Sequence, residues 1–268
     1  MNRIDEKFRQ LRASGQTALI PFITIGDPDL GASLDILKTM EAAGADIVEL
    51  GVPYSDPLAD GPVIQRASSR ALRNRVSIAE CIQTAGKARK AGVELPFILF
   101  TYYNPVLQYG LERFFASLRD NDISGIIIPD LPYEEDGPVR ELAESHNIHL
   151  IPLVAPTSND RIRRIASQAS GFIYCVSSLG VTGVRSEFYS GIDDFLATVR
   201  SATELPIAVG FGISSREQVL QLADKCDGVV VGSAIVRKIE ETLPQLESAE
   251  TRENALAHIR DFVAALKK

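Results

Sequence analysis

Short apolar stretches alternate along the chain with longer amphipathic segments. Each apolar stretch has four to seven residues and few polar side chains, which is typical of strands covered on both faces in a parallel sheet. This pattern predicts eight strands: Leu19–Ile25, Ile47–Gly51, Phe97–Phe100, Gly125–Pro129, His149–Val154, Phe172–Val176, Ile207–Gly210 and Gly228–Val231.

The segments between these strands have the periodicity of helices. Ser77, Ser158 and Ser214 each precede a helical run and are predicted to cap it, because a serine side chain accepts a hydrogen bond from an unpaired N–H of the first turn. The predicted helices include Leu30–Ala43, Ile78–Ala91, Leu111–Asp120, Val139–His146, Arg161–Ser167, Asp193–Arg200 and Glu217–Ala223.

Eight strand–helix units in a chain of 268 residues predict an α/β fold, a single (β/α)8 barrel. No linker rich in proline or serine divides the sequence, so one domain is predicted over residues 1–268. The charged amphipathic segment Met1–Gln10 is expected to add a helix at the N-terminus. A doubly wound open sheet is the alternative, and it is weaker because no G-x-G-x-x-G motif follows the first strand.

Composition narrows the classes of function. The formal net charge of -7 and the pI near 5.1 argue against a nucleic-acid or anionic-membrane partner. The three cysteines are widely spaced, which predicts a reducing cytoplasm rather than a disulfide framework or a zinc site. His146 and His149 have no neighbours that complete a metal site, and no segment is apolar and long enough to span a membrane.

A glutamate, Glu49, interrupts the second predicted strand. Its side chain should be buried on either face of the strand, since side chains fill the interior of a barrel and helices cover its outside. A buried carboxylate is costly, and proteins often use such groups for acid/base chemistry. A structural ion pair with an arginine or lysine is the alternative.

The loop after this strand supplies a second acid. Asp56 and Asp60 both lie in the turn-rich segment Ser55–Gly61, and nothing local favours one over the other. Aspartate is also common in such loops as a plain turn or cap residue. In a barrel, Glu49, this loop and Tyr174 on the sixth predicted strand would all lie at the carboxyl ends of the strands, where active sites occur.

Glycine-bearing turns follow the last two predicted strands, at 210–213 and 232–235. Gly212, Gly232 and Ser233 predict a phosphate site made by backbone N–H groups and a helix N-terminus, with ordinary barrel turns as the alternative. The long loop after the sixth strand, Ser177–Glu187, predicts a closing lid, with a surface loop of no role as the alternative.

Lysine chemistry is disfavoured by position. A Schiff-base aldolase needs a lysine at the end of a strand. The lysines checked against this requirement all fall in or beside predicted helices: Lys38, Lys87, Lys90, Lys225 and Lys238.

The segment Val48-Glu-Leu-Gly-Val-Pro-Tyr-Ser-Asp-Pro-Leu-Ala-Asp-Gly61 resembles the signature of the tryptophan synthase alpha subunit family. The resemblance extends over essentially the whole chain. It includes Pro21–Pro28, Tyr103–Pro105, Pro129–Pro132, Tyr174, Gly180–Gly183, Gly210–Ile213 and Gly232–Ser233.

This resemblance implies a lyase that cleaves indole-3-glycerol phosphate to indole and D-glyceraldehyde 3-phosphate, in the last stage of L-tryptophan biosynthesis. Glu49 would be the acid/base. Asp60, rather than Asp56, would accept a hydrogen bond from the indole N–H. The resemblance also implies the remaining roles: Phe22, Leu99 and Phe211 as the apolar slot for the indole, Tyr174 orienting Glu49 or the substrate, Thr182 coupling lid closure, and Gly183, Gly212, Gly232 and Ser233 holding the phosphate.

The resemblance further implies a partner, a β subunit that carries pyridoxal phosphate and consumes the indole, in an α2β2 tetramer. Pro53–Pro57, Tyr102–Tyr109 and Asp130–Pro132 would face it, and this chain itself would need no metal or cofactor. Three alternatives stay open: another phosphosugar barrel enzyme, a free-standing lyase without a partner, and a non-catalytic activator of a β subunit. An activator would be expected to lack Glu49 or Asp60, and both are present.

Overall fold

Nine parallel strands form the sheet at the centre of the protein. The computed structural model describes residues 1–176, 191–210 and 212–267. The order of the strands across the sheet is β5-β4-β3-β2-β1-β9-β8-β7-β6. The strands are β1 Ala18–Thr24, β2 Val48–Gly51, β3 Phe97–Phe100, β4 Gly125–Ile127, β5 His149–Leu150, β6 Leu153–Val154, β7 Ile173–Val176, β8 Ile207–Gly210 and β9 Gly228–Val231.

The sheet closes where the fifth predicted strand is divided in two. β5 pairs with β4, and β6, which follows after two residues, pairs with β7. The residues between them belong to neither short strand but keep the ladders going: Ile151 N–H donates to the Ile126 carbonyl at 2.9 Å, and the Pro152 carbonyl accepts from Tyr174 N–H at 3.1 Å. Pro152 has no N–H of its own to donate, which explains why the predicted strand is interrupted there.

Helices follow the strands in the order expected of a (β/α)8 barrel, so the predicted fold class is confirmed. The helices are α1 Arg3–Ser14, α2 Leu30–Ala42, α3 Pro62–Arg73, α4 Ile78–Lys90, α5 Tyr103–Tyr109, α6 Leu111–Asp120, α7 Gly137–Ser145, α8 Asn159–Ser167, α9 Ile192–Ala202, α10 Arg216–Ala223, α11 Ser233–Glu241, α12 Leu243–Leu246 and α13 Arg252–Lys267. Within the described ranges, none of them is both long and apolar enough to cross a membrane.

One predicted cap is wrong by one residue. The helix α10, Arg216–Ala223, is capped by Ser215 rather than Ser214, and the Ser215 side chain accepts from Gln218 N–H.

Alternation along the strands divides the apolar core into an inner and an outer cluster. On β2, Val48 and Leu50 belong to the outer cluster, where the sheet packs against the helices. Ile47, just before β2, belongs to the inner cluster together with Phe22 and Ile98 from the neighbouring strands. Glu49 shares the inner face with Ile47, because successive strand side chains point to opposite sides.

The helix α1 closes the amino-terminal end of the barrel. Its buried residues Ile4, Phe8 and Leu11 pack in the inner cluster. Asn2 caps the helix by accepting from Ile4 N–H at 2.9 Å and donates to the Ser124 carbonyl at 2.8 Å. One end of the barrel is therefore filled by apolar side chains, and the other is left for the site. That the chain forms a single domain stays a prediction.

Candidate active site

A pocket opens at the carboxyl ends of the strands. It brings together seven of the eleven site residues predicted from the sequence, from three strands, two loops and the turn that begins α11, and joins to them three apolar side chains that were not predicted. The lining residues are Phe22, Glu49, Asp60, Ile64, Phe100, Tyr174, Gly212, Val230, Gly232 and Ser233.

Glu49 is buried inside the barrel, with only 1% of its surface exposed. Among the described residues, its Oε1 atom has no hydrogen-bond partner and no cation forms an ion pair with its carboxyl group. Because the charged form loses its water there, burial raises the pKa of Glu49 to about 8. The alternative of a structural ion pair finds no support in this part of the chain.

Asp60 is distinguished from Asp56 by burial. Asp56 is exposed and accepts a hydrogen bond from its neighbour Ser55, whereas Asp60 is 6% exposed and lines the pocket. Burial raises the pKa of Asp60 to about 6, while a hydrogen bond donated by the Tyr102 hydroxyl acts in the opposite direction. Asp60 is therefore a carboxylate at neutral pH, and Asp56 is a solvated turn residue.

Tyr102 holds the Asp60 carboxylate in place. Its hydroxyl donates to Oδ2 of Asp60 at 3.1 Å and accepts from Ala59 N–H at 3.0 Å. The Tyr54 ring stacks on the Tyr102 ring with 4.9 Å between centroids. Tyr102 was predicted only as part of a partner-facing segment, because this contact joins residues 42 positions apart and leaves no local pattern in the sequence.

Tyr174 reaches the pocket from β7 because β8 ends in a glycine. A Cβ atom at Gly210 would lie 2.2 Å from the Tyr174 hydroxyl, so no other residue fits there without moving the ring. Burial, and then the charge of Glu49, raise the pKa of Tyr174 well above its usual value. The phenol therefore stays protonated at any physiological pH and can donate a hydrogen bond.

One of the predicted residues of the apolar wall, Leu99, does not line the pocket. The Phe22 and Phe100 rings meet edge to face with 5.6 Å between centroids and line the pocket. Leu99 packs in the outer cluster on the opposite side of β3, so the prediction that it forms the apolar slot is wrong. The register Glu49↔Ile98 puts Ile98, and with it Phe100, on the inward face.

The N-terminus of α11 points into the pocket, and no side chain of the described residues caps its first turn. Gly232 is the N-cap residue, and Ser233 is buried at the first helical position. Free N–H groups and the positive end of the helix dipole favour an anion at such a terminus. Gly212 has φ +88°, a left-handed conformation that glycine adopts without strain. No lysine or arginine is among the described lining residues, so an anion would be held by backbone groups.

Four predictions fall wholly on residues outside the described ranges. Thr182, Gly183 and Phe211 are not among residues 1–176, 191–210 and 212–267, and neither is the predicted lid Ser177–Glu187. Their assigned roles stay predictions.

No group of three or more acidic, histidine or cysteine side chains suited to a metal ion occurs in the described part of the chain. His149 instead pairs with Asp5 of α1 at 2.9 Å, and His146 bonds to the Leu142 carbonyl at 2.9 Å. Both histidines are therefore accounted for by structural contacts.

Comparison with known proteins gives a consistent result over the full length. The family model described as "Tryptophan synthase alpha chain" matches residues 8–267. The tryptophan synthase alpha chain of Geobacillus kaustophilus is 56% identical over 247 residues, which cover 92% of each chain. That of Bacillus subtilis is 56% identical over 246 residues, with the same coverage.

Solved structures agree with this match. Tryptophan synthase subunit alpha from Legionella pneumophila superposes with a TM-score of 0.87 at 33% identity, covering 100% of this chain and 97% of that one. A chain of Mycobacterium tuberculosis tryptophan synthase gives a TM-score of 0.88 at 34% identity, covering 99% and 97%.

Proposed function

The chain belongs to the tryptophan synthase alpha chain family, a family of lyases, and we propose on that premise how its pocket carries out the reaction. The substrate is indole-3-glycerol phosphate, and the products are indole and D-glyceraldehyde 3-phosphate. The ring carbon that bears the side chain gains a proton, and the adjacent hydroxyl group loses one. The carbon–carbon bond then breaks, its electron pair returns to the indole ring, and the hydroxyl-bearing carbon becomes the aldehyde.

Glu49 is the acid/base that moves these protons. The observation that carries this assignment is its burial without a hydrogen-bond partner for Oε1 among the described residues. A pKa of about 8 keeps a large share of Glu49 protonated near neutral pH, so that it can donate one proton and accept another. Tyr174, which stays protonated, orients the Glu49 carboxyl group or the substrate by donating a hydrogen bond.

Asp60 stabilises the indole ring while positive charge develops on its nitrogen. With a pKa of about 6 it is ionised at neutral pH and accepts a hydrogen bond from the ring N–H. A fixed carboxylate in a pocket largely shielded from water stabilises such charge more strongly than water does. Phe22, Phe100, Ile64 and Val230 form the apolar slot that receives the ring.

The phosphate binds at the N-terminus of α11. Gly232 and Ser233 donate backbone N–H groups, Gly212 lets the preceding loop approach the anion, and the Ser233 hydroxyl adds one more donor. At the position of a Cβ on Gly232 the nearest described atom is Cβ of Phe22 at 3.6 Å, so the turn is open toward the pocket. The chain itself requires no metal or cofactor in this scheme.

The partner is a β subunit that carries pyridoxal phosphate and consumes the indole, in an α2β2 tetramer. Support comes from the similarity to Mycobacterium tuberculosis tryptophan synthase and from large apolar side chains left in water beside the pocket. Leu58 is 80% exposed in the loop before Asp60, and Leu107 of α5 is 49% exposed. The segments that face this partner are Pro53–Pro57, Tyr102–Tyr109 and Asp130–Pro132.

The three cysteines are buried and free, which suits a reducing compartment such as the cytoplasm.

Release of indole from indole-3-glycerol phosphate tests the proposal. The purified chain is assayed alone and with a β subunit, and triose and pentose phosphates are offered as competing substrates. The proposal expects indole in both assays, with a higher rate when the β subunit is present. Turnover of another phosphosugar without indole release would favour a different barrel enzyme. An equal rate in both assays would favour a free-standing lyase.

A further inference from the structure

The helices α3 and α11 both begin at the edge of the pocket. α3 lies between β2 and α4, and it starts two residues after Asp60. α11 lies between β9 and α12, and it starts with Ser233 in the phosphate-binding turn. The position of α3 relative to α11 therefore sets the position of the Asp60 carboxylate relative to the phosphate.

Four charged side chains join these two helices. Arg70 of α3 donates from Nε and Nη2 to the two carboxylate oxygens of Asp27, at 2.7 and 2.9 Å. Its third donor, Nη1, bonds to Glu240 of α11 at 2.7 Å. Arg66, one turn earlier on α3, makes two further bonds to Glu240, at 2.8 and 2.7 Å. We call this group of four residues the charge clamp.

The charge clamp is buried at the Asp27–Arg70 pair and exposed at Arg66. The side chains of Asp27 and Arg70 are 2% and 17% exposed, whereas that of Arg66 is 53% exposed. Hydrogen bonds from Arg66 and Arg70 hold the pKa of Glu240 at about 2, despite partial burial, so its charge persists at neutral pH. Asp27 lies in the loop after β1, the strand that carries Phe22, so Arg70 ties α3 to that loop and to α11 at once.

We propose that Arg70 is a positioning residue, which fixes Asp60 relative to the phosphate-binding turn by holding α3 against both α11 and the loop after β1. This inference rests on the proposed function of Asp60 and of that turn. Arg70 is not among the described residues that line the pocket. Its effect on the reaction passes through the two helices whose first residues form the site.

The geometry of the clamp requires an arginine. A guanidinium group is planar and presents donors in a fixed fork, so it can bind both oxygens of Asp27 while a third donor reaches Glu240. A lysine has a single nitrogen on a flexible side chain, so it cannot bind both oxygens of Asp27 and also Glu240 in this geometry. Arg70→Lys should therefore keep the charge and restore only part of the positioning.

The test compares Arg70→Met with a matched variant at the other end of the barrel. Arg89 of α4 is 14% exposed and pairs with Asp122, and it donates to the Leu95 carbonyl just before β3. Arg89→Met thus removes an equally buried arginine far from the pocket. Melting temperature, kcat and KM for indole-3-glycerol phosphate, and the affinity for inorganic phosphate are measured for wild type and both variants.

If Arg70 positions Asp60, the two variants should lose similar stability but differ in activity. Both variants should lower the melting temperature. Only Arg70→Met should lower kcat/KM, by roughly 10- to 100-fold at a temperature where the protein is fully folded, because small misplacements of a catalytic group cost this much. Arg70→Lys should fall between wild type and Arg70→Met. Equal kcat/KM values for the Arg70→Met and Arg89→Met variants would overturn the proposal.

A variant outside the buried pair keeps the test decisive if Arg70→Met does not fold. Glu240→Ala removes the tie to α11, leaves the Asp27–Arg70 pair intact, and changes a partly exposed residue. It should raise KM and weaken phosphate binding several-fold while Arg89→Met does neither. Unchanged values in Glu240→Ala would contradict the positioning role. Wild-type protein that releases no indole would instead contradict the proposed function.

Discussion

Two buried acids three residues apart, one just before β2 and one on it, have opposite surroundings. Asp46, just before the strand, is 7% exposed, and its carboxylate accepts from Leu19 N–H at 2.7 Å and pairs with Lys267 of α13. Glu49, three residues later, is 1% exposed and is left without a partner for Oε1 among the described residues. Burial alone therefore does not separate the two acids; the contacts of their carboxyl groups with the described residues do.

The same contrast extends from β2 to the whole barrel. At the amino-terminal end, His149 pairs with Asp5 and Arg89 with Asp122, and apolar side chains of α1 fill the interior. At the carboxyl end, the pocket is lined by Glu49, whose Oε1 has no partner among the described residues, by a second buried acid, and by a helix N-terminus that no described side chain caps. The polar groups named at the first end are paired with one another, whereas those lining the pocket at the second end are the ones to which we assign contacts with the substrate.

The largest effect is expected from removing the acid/base. Glu49→Gln keeps the size of the side chain and abolishes proton transfer, so kcat should fall by roughly 10²- to 10⁴-fold while substrate still binds. The rate of indole release gives kcat, and an equilibrium binding experiment gives the affinity for the substrate. Near-normal kcat in the Gln variant would remove Glu49 from the reaction.

Substitutions in the phosphate-binding turn should mainly raise KM. Gly232→Val would put two methyl groups where the anion binds, and losing hydrogen bonds to a charged group costs about 1.5–3 kcal/mol, or roughly 10- to 100-fold in KM. Gly232→Ala is the control, since a Cβ at this position makes only ordinary contacts with Phe22. If the two variants had the same KM, the anion would have to lie elsewhere.

Asp46 and Glu49 should have opposite effects on stability. Asp46→Asn leaves Lys267 without its charged partner and should cost about 1–3 kcal/mol, with kcat unchanged. Glu49 has a folded pKa of about 8 against an ordinary 4.5, so its contribution to stability is present below pH 4.5 and is lost as the pH rises toward 8. Glu49→Gln should therefore melt at a progressively higher temperature than wild type between pH 5 and pH 8.

These melting curves are compared with the indole assay. Loss of activity in Asp46→Asn, or a melting temperature difference for Glu49→Gln that does not change with pH, would contradict the contrast between these two acids.

The smallest effect is expected at Tyr102. Its hydroxyl donates to Asp60 and lowers the pKa of that carboxyl group against the effect of burial. In Tyr102→Phe the pKa of Asp60 should rise, so the acidic limb of the kcat/KM profile should move to higher pH by less than about one unit. Tyr54→Phe keeps the stacked ring and removes no bond to Asp60, and its profile should coincide with that of wild type.

The barrel could be predicted from the sequence because the strands are short, apolar and separated by helices at regular intervals. The side on which a residue faces could not be fixed for β3, since Leu99 and Phe100 are both large and apolar. The pairing of Glu49 with Ile98 shows that Ile98 and Phe100 face the inside of the barrel and that Leu99 faces the helices. The break at Pro152 was likewise hidden inside one continuous apolar run.

Within the site, local sequence supplied the residue types but not their surroundings. Asp56 and Asp60 cannot be told apart until burial separates them. The contacts of Tyr102 with Asp60 and of Arg70 with Asp27 join residues 42 and 43 positions apart, so no spacing rule could have found them.

Direct titration of Glu49 tests most directly whether this buried acid, whose Oε1 has no partner among the described residues, can hold and release a proton near neutral pH. The side-chain carboxyl resonances of protein labelled with 13C-glutamate are followed from pH 4 to pH 9, and the Glu49 signal is assigned by its absence in Glu49→Gln. The account predicts a midpoint near 8 in the free chain. A midpoint at or below the ordinary value of 4.5 would show that Glu49 has a partner that stabilises its charge, and would contradict the account.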